Sequence, residues 1–468
     1  MKRTKRVMLL AGALLILLTA CSGGNTGGKP SAAEAGAPLV LRVCVEGPLR
    51  SSGETFWNET ALTQLAQYYQ TTSGHKIEFE KLPSETDERA NRIQKLKTEM
   101  MAGKGPDIFV FSAEDQASAK LIPDFNKAMH TGIFAELSPL LEADENWEDA
   151  DFYPAILRAG AVDGKQIALP LAFTYYSSLI LTDQLAVMQE TNLAGTAETY
   201  IGEMVGSQAD LTKHAFIEFR NPMLLLDQPL NYQTEAVTVS EEDLVQALRL
   251  CAGYQVDTRA EDAQDEIFTD FENEEEWNRN LYGLSADKAA WIAGVSPGRL
   301  LLQAAMAEAD GFSFREFPLP TLEGQYTALI QAGAAVSANC SHVQEAYDFI
   351  KLLLSEEVQS GRGFSSDEGR TYGARALEQS EGWPVRRNIP MRTLYQNQSL
   401  YSSAVPMETD DFLLSAEEIT SARFYSEIDA KAEALCTELA AQDRHPADRE
   451  ILAAADDWYA QLKIAAAE

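Results

Sequence analysis

Residues 163–185, DGKQIALPLAFTYYSSLILTDQL, constrain the fold of this chain more than any other stretch. Gly164 lies in a predicted turn, and apolar side chains then run almost without interruption from Ile167 to Leu181. Such a run is typical of a strand buried on both faces, and Pro170 within it disfavours one regular position in a hydrogen-bonded ladder. The stretch therefore predicts a strand that crosses between two sheets and joins two globular halves.

The length and net charge of the chain limit its expected domain number and its expected partners. A chain of 468 residues is too long for one ordinary core, so two α/β domains are expected. The formal net charge is -33, and so acidic a protein repels nucleic acid and anionic lipid. A nucleic-acid partner is therefore not expected, and a polyanionic ligand would need a local basic pocket.

The N-terminus carries a specific targeting pattern. A basic segment, MKRTKR, precedes an apolar segment from Val7 to Leu18 that is too short for an ordinary membrane span. The following Thr-Ala-Cys21 resembles a bacterial lipobox, which implies cleavage before Cys21 and lipid attachment to its thiol. Residues 1–20 would then be a signal peptide and residues 21–38 a flexible tether. The alternative is an ordinary signal peptide with an incidental cysteine.

Four further cysteines, Cys44, Cys251, Cys340 and Cys436, are widely spaced, without a CxxC motif or a paired histidine. Neither a metal site nor a redox motif is indicated. Buried thiols are favoured because Cys44 lies in an apolar strand and Cys251 on an apolar helix face. In an oxidising compartment three disulfide pairings are the alternative.

The segment from residue 39 to 112 predicts a βαβαβ unit with a parallel sheet. In open parallel sheets, ligands bind beyond the carboxyl ends of the strands. Two loops qualify here, residues 46–53 and residues 112–115. Ser112, Glu114 and Asp115 equally suit the cap of a following helix.

The later chain predicts a second crossover at residues 312–320, a strand at 329–338, and a helix capped by Ser341 and Gln344. Two C-terminal helices are expected at residues 415–442 and 446–467. The acidic run at 257–280 has no calcium-loop pattern and predicts an exposed, solvated face.

Several stretches together resemble family 1 extracellular solute-binding proteins of ABC importers, the sugar-binding lipoprotein type. They are the lipobox at Cys21, LKTEMMAGKGPDIFV (96–110), DGKQIALP (163–170), the segment 336–359 and GWPVRR (382–387). The resemblance implies an α/β fold of the type II periplasmic-binding-protein kind, with two α/β lobes joined by crossover hinge strands. Lobe 1 would comprise residues 39–172 and about 318–360, and lobe 2 residues 173–317 and about 361–468.

This resemblance implies capture of a solute, a mono- or oligosaccharide, between the lobes, and its delivery to ABC permease subunits. The protein would be a monomer on the cell surface or the periplasmic side of a bacterial membrane, anchored only by the lipid on Cys21, without cofactor or metal. Sugar recognition needs aromatic platforms and hydrogen-bonding side chains. The candidates are Tyr175, Tyr176, Trp291 and Trp383, with Glu46, Ser112, Glu114, Asp115 and Arg386 as polar partners.

Two other functions fit parts of the sequence. Residues 294–298, GVSPG, match the GxSxG nucleophile elbow of hydrolases. That chemistry uses the backbone N–H after the serine, and Pro297 has none, so an enzyme is not expected. The third possibility is a surface lipoprotein that binds a peptide or a protein without transport.

Overall fold

The computed structural model describes residues 38–46, 49–50, 57–83, 86–113, 119–206, 217–218, 221–254, 291–293, 297–366, 368–377, 382–397, 415–442 and 446–467. The predicted signal peptide, Cys21, nearly all of the tether and the acidic run 257–280 lie outside these residues. Leu39–Glu468 form one compact unit.

Nineteen strands lie within the described residues: β1 Val40–Val45, β2 Leu49–Arg50, β3 Trp57–Asn58, β4 Lys76–Lys81, β5 Ile108–Ser112, β6 Ala161–Val162, β7 Lys165–Gln166, β8 Ala168–Thr174, β9 Ser177–Leu181, β10 Ile217–Glu218, β11 Leu230–Asn231, β12 Ala236–Val237, β13 Trp291–Ala293, β14 Phe314–Pro318, β15 Thr327–Val336, β16 Phe364–Ser365, β17 Thr371–Tyr372, β18 Trp383–Pro384 and β19 Ser421–Phe424. The α-helices among the same residues are α1 Glu59–Ser73, α2 Thr86–Met101, α3 Phe125–His130, α4 Ser138–Ala143, α5 Pro154–Arg158, α6 Thr182–Leu185, α7 Glu190–Leu193, α8 Ala197–Gly206, α9 Glu241–Tyr254, α10 Pro297–Ala309, α11 Val343–Leu353, α12 Glu356–Gln359, α13 Met391–Asn397, α14 Glu427–Gln442 and α15 Asp448–Ala467.

The predicted βαβαβ unit is confirmed. β1 pairs in parallel with β4 on one side and with β5 on the other. α1 begins at Asn58, whose side chain accepts the Ala61 N–H at 3.0 Å, and ends at Gly74, whose φ of 80° suits glycine. The buried face of α1 includes Leu62, Leu65 and Tyr69, so the apolar stripe in the sequence packs onto the sheet.

The large sheet has the strand order β18-β8-β15-β5-β1-β4, and β19 also pairs with β15. β15 is antiparallel to β5 along its second half, and its first half extends past the end of β5 and pairs in parallel with β19. The helix predicted from residue 415 was wrong at its start, because residues 421–424 form β19 and α14 begins at Glu427. Asn126 supplies the reason, since its side chain bonds both the N–H and the C=O of Phe424 at 2.8 Å and completes the free edge of β19.

The small sheet has the order β10-β13-β9-β14. The predicted crossover is confirmed: β8 lies in the large sheet, β9 in the small one, and only Tyr175 and Tyr176 lie between them. Pro170 is opposite Gly333 beside an irregularity in the β8–β15 register, and β18 pairs with β8 only at Ala172 and Phe173. The proline therefore lies where few ladder hydrogen bonds are required of β8. β14 and β15 form the second predicted crossover in the same way.

The boundary predicted for lobe 2 needs a correction. Within residues 361–468, α14 and α15 pack against α9, but β18 and β19 are strands of the large sheet. The end of β15 beyond β5 and the outer edge of β8 leave ladder positions that these short strands fill. The C-terminal segment therefore supplies two strands to the large sheet as well as two helices that pack against α9.

Smaller predictions had mixed outcomes. Cys44, Cys251, Cys340 and Cys436 are buried and none of them forms a disulfide, which agrees with the prediction of buried thiols. The cap predicted at Ser341 was wrong, because His342 is the N-cap of α11 and provides no side-chain hydrogen bond. Among the described residues, none of the helices is both long and apolar enough to cross a membrane.

Candidate functional site

Four of the predicted site residues meet at the carboxyl edge of the large sheet. Ser112 ends β5, Glu46 follows β1, and Tyr175 follows β8. β18 is antiparallel to β8 and places Trp383 opposite Phe173, close to the same edge. Glu114 and Asp115 lie outside the described residues, directly after this edge in sequence.

Glu46 is buried at this edge. Its Oε1 accepts the backbone N–H groups of Leu121 and Ile122, the latter at 2.9 Å, and its main-chain oxygen accepts Arg89 Nη2 at 3.0 Å. Its Oε2 is buried and has no hydrogen-bond partner among the described residues. Burial raises the pKa of Glu46, although these two N–H groups, Lys120 and Arg89 act in the opposite direction. Glu46 thus fixes the chain at Leu121 and Ile122, after β5, with one oxygen of its carboxylate.

The crossover tyrosines are both buried, each with 2% of its surface exposed. The Tyr175 hydroxyl donates to Glu316 Oε1 at 2.6 Å, and the Tyr176 hydroxyl accepts the Asn221 N–H at 2.6 Å. Trp383 is equally buried. These three rings are therefore part of the protein core near the crossover, and they stabilise the carboxyl edge of the large sheet through packing.

Glu316 was not predicted, yet it joins three separate segments. Its carboxylate accepts the Tyr175 hydroxyl, a Ser177 hydrogen bond from the first crossover, and the Ser415 N–H at 2.6 Å. Glu316 itself belongs to β14, the second crossover. Burial raises its pKa and its hydrogen bonds lower it, with a net upward shift. The sequence signal was a charged residue, Glu316, within the apolar alternation Phe312–Pro320. Its side chain is the charged one there that faces inward.

A second buried cluster was also missed. Arg423 of β19 donates from both terminal nitrogens to Asp429 of α14, at 2.7 and 2.6 Å. Asp429 also accepts Asn221 Nδ2 at 3.2 Å and the Ser426 N–H at 2.9 Å. The cluster fixes the connection from the large sheet to the C-terminal helices. Asp429 lies six residues after its partner, a spacing that by itself indicates nothing.

A sequence model of the bacterial extracellular solute-binding proteins matches residues 57–360, well over half of the chain. The chain belongs to this family. The family consists of binding proteins of ABC importers, not of enzymes, and acts outside the cytoplasm. None of the curated proteins compared with this solute-binding protein matches it in sequence.

Three of the solved structures that match this chain illustrate the shared fold. A family 1 extracellular solute-binding protein from Alicyclobacillus acidocaldarius has 13% identity and a TM-score of 0.50, covering 92% of this chain and 100% of its own. An ABC substrate-binding protein from Listeria monocytogenes, in complex with cycloalternan, has 14% identity and a TM-score of 0.50, covering 91% and 99%. The sugar-binding protein MalE from Xanthomonas citri has 13% identity and a TM-score of 0.54, covering 90% and 98%. At these identities the likeness establishes the fold alone.

Three predicted site residues remain to be described: Ser112, Trp291 and Arg386. Ser112 is buried, and its main-chain oxygen accepts Lys120 Nζ at 3.1 Å. The backbone of Trp291 begins β13 of the small sheet, opposite Leu179 of β9; its side chain lies outside the described part.

Arg386 does not lie at the carboxyl edge of the large sheet. It follows β18, which is antiparallel to β8, and so it lies towards the opposite edge. Its guanidinium forms an ion pair with Asp151, donates to the Leu354 main-chain oxygen at 3.3 Å, and lies 5.1 Å from the Phe152 ring. These contacts give it a structural role, which corrects its prediction as a polar partner of the solute.

Replacing Glu46 by Gln tests the electrostatics of the edge. Because the pKa of Glu46 is raised in the folded protein, its contribution to stability is complete below the ordinary carboxyl pKa and falls as the pH rises. We expect Glu46→Gln to become progressively more stable relative to wild type from about pH 5 upward. Urea unfolding at several pH values measures this, and a stability difference that does not change with pH would contradict it. Glu78→Gln, an exposed glutamate on β4, is the control.

Proposed function

We propose that this solute-binding protein captures a carbohydrate between two lobes and delivers it to the permease of an ABC importer. The observation that carries the proposal is the pair of crossovers, β8 to β9 and β14 to β15, which connect the two sheets next to the carboxyl edge. Ligands of open α/β sheets bind at such edges. The Listeria and Xanthomonas proteins with this fold are named as cycloalternan- and sugar-binding, which supports a saccharide.

The mechanism is a hinge equilibrium. An open form admits the solute, and the contacts that both lobes make exist only in the closed form, so the solute shifts the population towards closure. Glu46, Ser112, Glu114 and Asp115 supply hydrogen bonds from the large-sheet lobe, and Trp291 supplies an aromatic face from the small-sheet lobe. Tyr175, Tyr176 and Trp383 support the hinge. A lipid on Cys21 holds the monomer at the outer face of the membrane through the tether of residues 21–38.

A titration of the purified protein with mono- and oligosaccharides tests this function, with amino acids, peptides and polyamines as controls. A ligand that binds only the folded state raises its stability with the logarithm of ligand concentration over Kd. We expect a thermal shift from one saccharide class only. A shift from peptides alone would overturn the cargo and favour the binding of a peptide without transport.

The residues that follow β5 in sequence provide a variant test of the site. We expect the double replacement Glu114→Ala and Asp115→Ala to weaken saccharide binding at least about tenfold, equivalent to about 1.4 kcal/mol. Gln116→Ala, the next position in sequence, is the matched control and is expected to bind as wild type does. Unchanged affinity in the double variant, measured by calorimetry, would remove Glu114 and Asp115 from the site.

A further inference from the structure

A small cavity lies beside the free edge of β19. Its volume is about 130 Å³, and its walls come from α3, the end of α5, β19 and the chain around β11. Its polar lining residues are Asn126, His130, Arg158, Gln228, Tyr232, Arg423 and Ser426. Two arginines thus line one cavity in a chain with a net charge of -33.

Arg423 lines this cavity and has one buried hydrogen-bond donor without a partner among the described residues. Its two terminal nitrogens are taken by Asp429, but its Nε is buried and has no hydrogen-bond partner among the described residues. Only 12% of the side chain is exposed. A buried N–H of a charged group without an acceptor is costly, so an acceptor at this position would be bound favourably.

Arg158 offers a second donor group. Its side chain is exposed, and no described residue forms an ion pair or a hydrogen bond with it. Most arginines in the described part of the chain pair with a carboxylate, for example Arg92 with Glu80 and Arg362 with Glu356. A guanidinium that lines a cavity beside a second guanidinium is typical of a site for an oxyanion.

The nearby carboxylates do not occupy the cavity. Asp429 directs its oxygens to Arg423, Asn221 and Ser426. Asp124 accepts the Tyr232 hydroxyl at 2.7 Å and the Lys127 N–H at 3.2 Å. Neither aspartate lines the cavity, and the oxygens of both are already hydrogen-bonded.

The geometry points to a binding site for a small oxyanion, held between Arg423 Nε and the Arg158 guanidinium. A cavity of about 150 Å³ accommodates benzene, so one of this size admits a group such as phosphate, sulfate or a carboxylate. None of the residues of the proposed carbohydrate site lines this cavity, and the ligand class proposed for it does not depend on the cargo.

Calorimetric titration of the purified protein with inorganic phosphate tests the site, with sulfate and acetate as parallel arms and chloride at equal ionic strength as reference. We expect saturable binding of at least one oxyanion, and the arms distinguish tetrahedral anions from carboxylates. Arg158→Ala is expected to weaken it at least about tenfold, and Arg158→Lys less, because the charge remains.

Arg370→Ala is the matched control, since it removes the same charge from an exposed arginine that does not line the cavity. It is expected to bind the anion as wild type does. Equal weakening in Arg158→Ala and Arg370→Ala would overturn the proposal in favour of general charge attraction. Absence of saturable binding in all three anion arms would also overturn it.

Discussion

Replacing Asp429 by Ala is expected to lower the free energy of unfolding by about 3–5 kcal/mol, because it leaves the largely buried guanidinium of Arg423 without its counter-charge. Asp429 is fully buried, and its two oxygens accept both terminal nitrogens of Arg423. Asn221 and Ser426 lose an acceptor as well. Equilibrium unfolding in urea, followed by circular dichroism, measures the change.

The matched control is Asp448→Ala. Asp448 also pairs with an arginine, Arg249 at 2.9 Å, but its side chain is 79% exposed. Exposed pairs contribute little, so a loss below about 1 kcal/mol is expected. Equal losses in the two variants would contradict the account of Arg423 and Asp429 as a buried pair that holds β19 to α14.

Replacing Glu316 by Ala is expected to cost about 3 kcal/mol, because the hydroxyl of Tyr175 and the N–H of Ser415 are left without an acceptor. Both bonds measure 2.6 Å, and the charge of the carboxylate strengthens them. Relief of the buried charge offsets part of the loss. Urea unfolding at neutral pH provides the measurement.

Glu418→Ala controls for the loss of one negative charge, since Glu418 is exposed on the 3₁₀ turn Ser415–Glu418. A change within about 0.5 kcal/mol is expected there. If Glu316→Ala were as mild as this control, the carboxylate would not be what joins the two crossovers to the segment before β19.

The elements with strong local patterns were predictable. The apolar run from Ile167 to Leu181 gave the crossover, because only a chain buried on both faces tolerates it. The stripe on α1 and Gly74 gave that helix and its end, since both depend on residues within a few positions. Pro170 indicated the irregular part of β8, since the effect of a proline on a strand is also local.

The elements that depend on distant partners were not predictable. β19 has four residues, and its strand form depends on β15 and on Asn126, 298 positions from Phe424. Arg386 was assigned to the solute, but its ion-pair partner Asp151 is 235 positions away. Tyr175 and Tyr176 were predicted as aromatic platforms for a sugar. Both are buried because the crossover is enclosed on all sides.

Small-angle X-ray scattering with and without saccharide tests the central claim most directly, since capture by hinge closure changes the shape of the protein. We expect the radius of gyration to fall on saturation with the saccharide class that shifts the melting temperature, and to stay constant with polyamines and peptides. Saccharide binding without any change in the radius of gyration would contradict hinge closure. Failure of every saccharide to bind would contradict the proposed cargo.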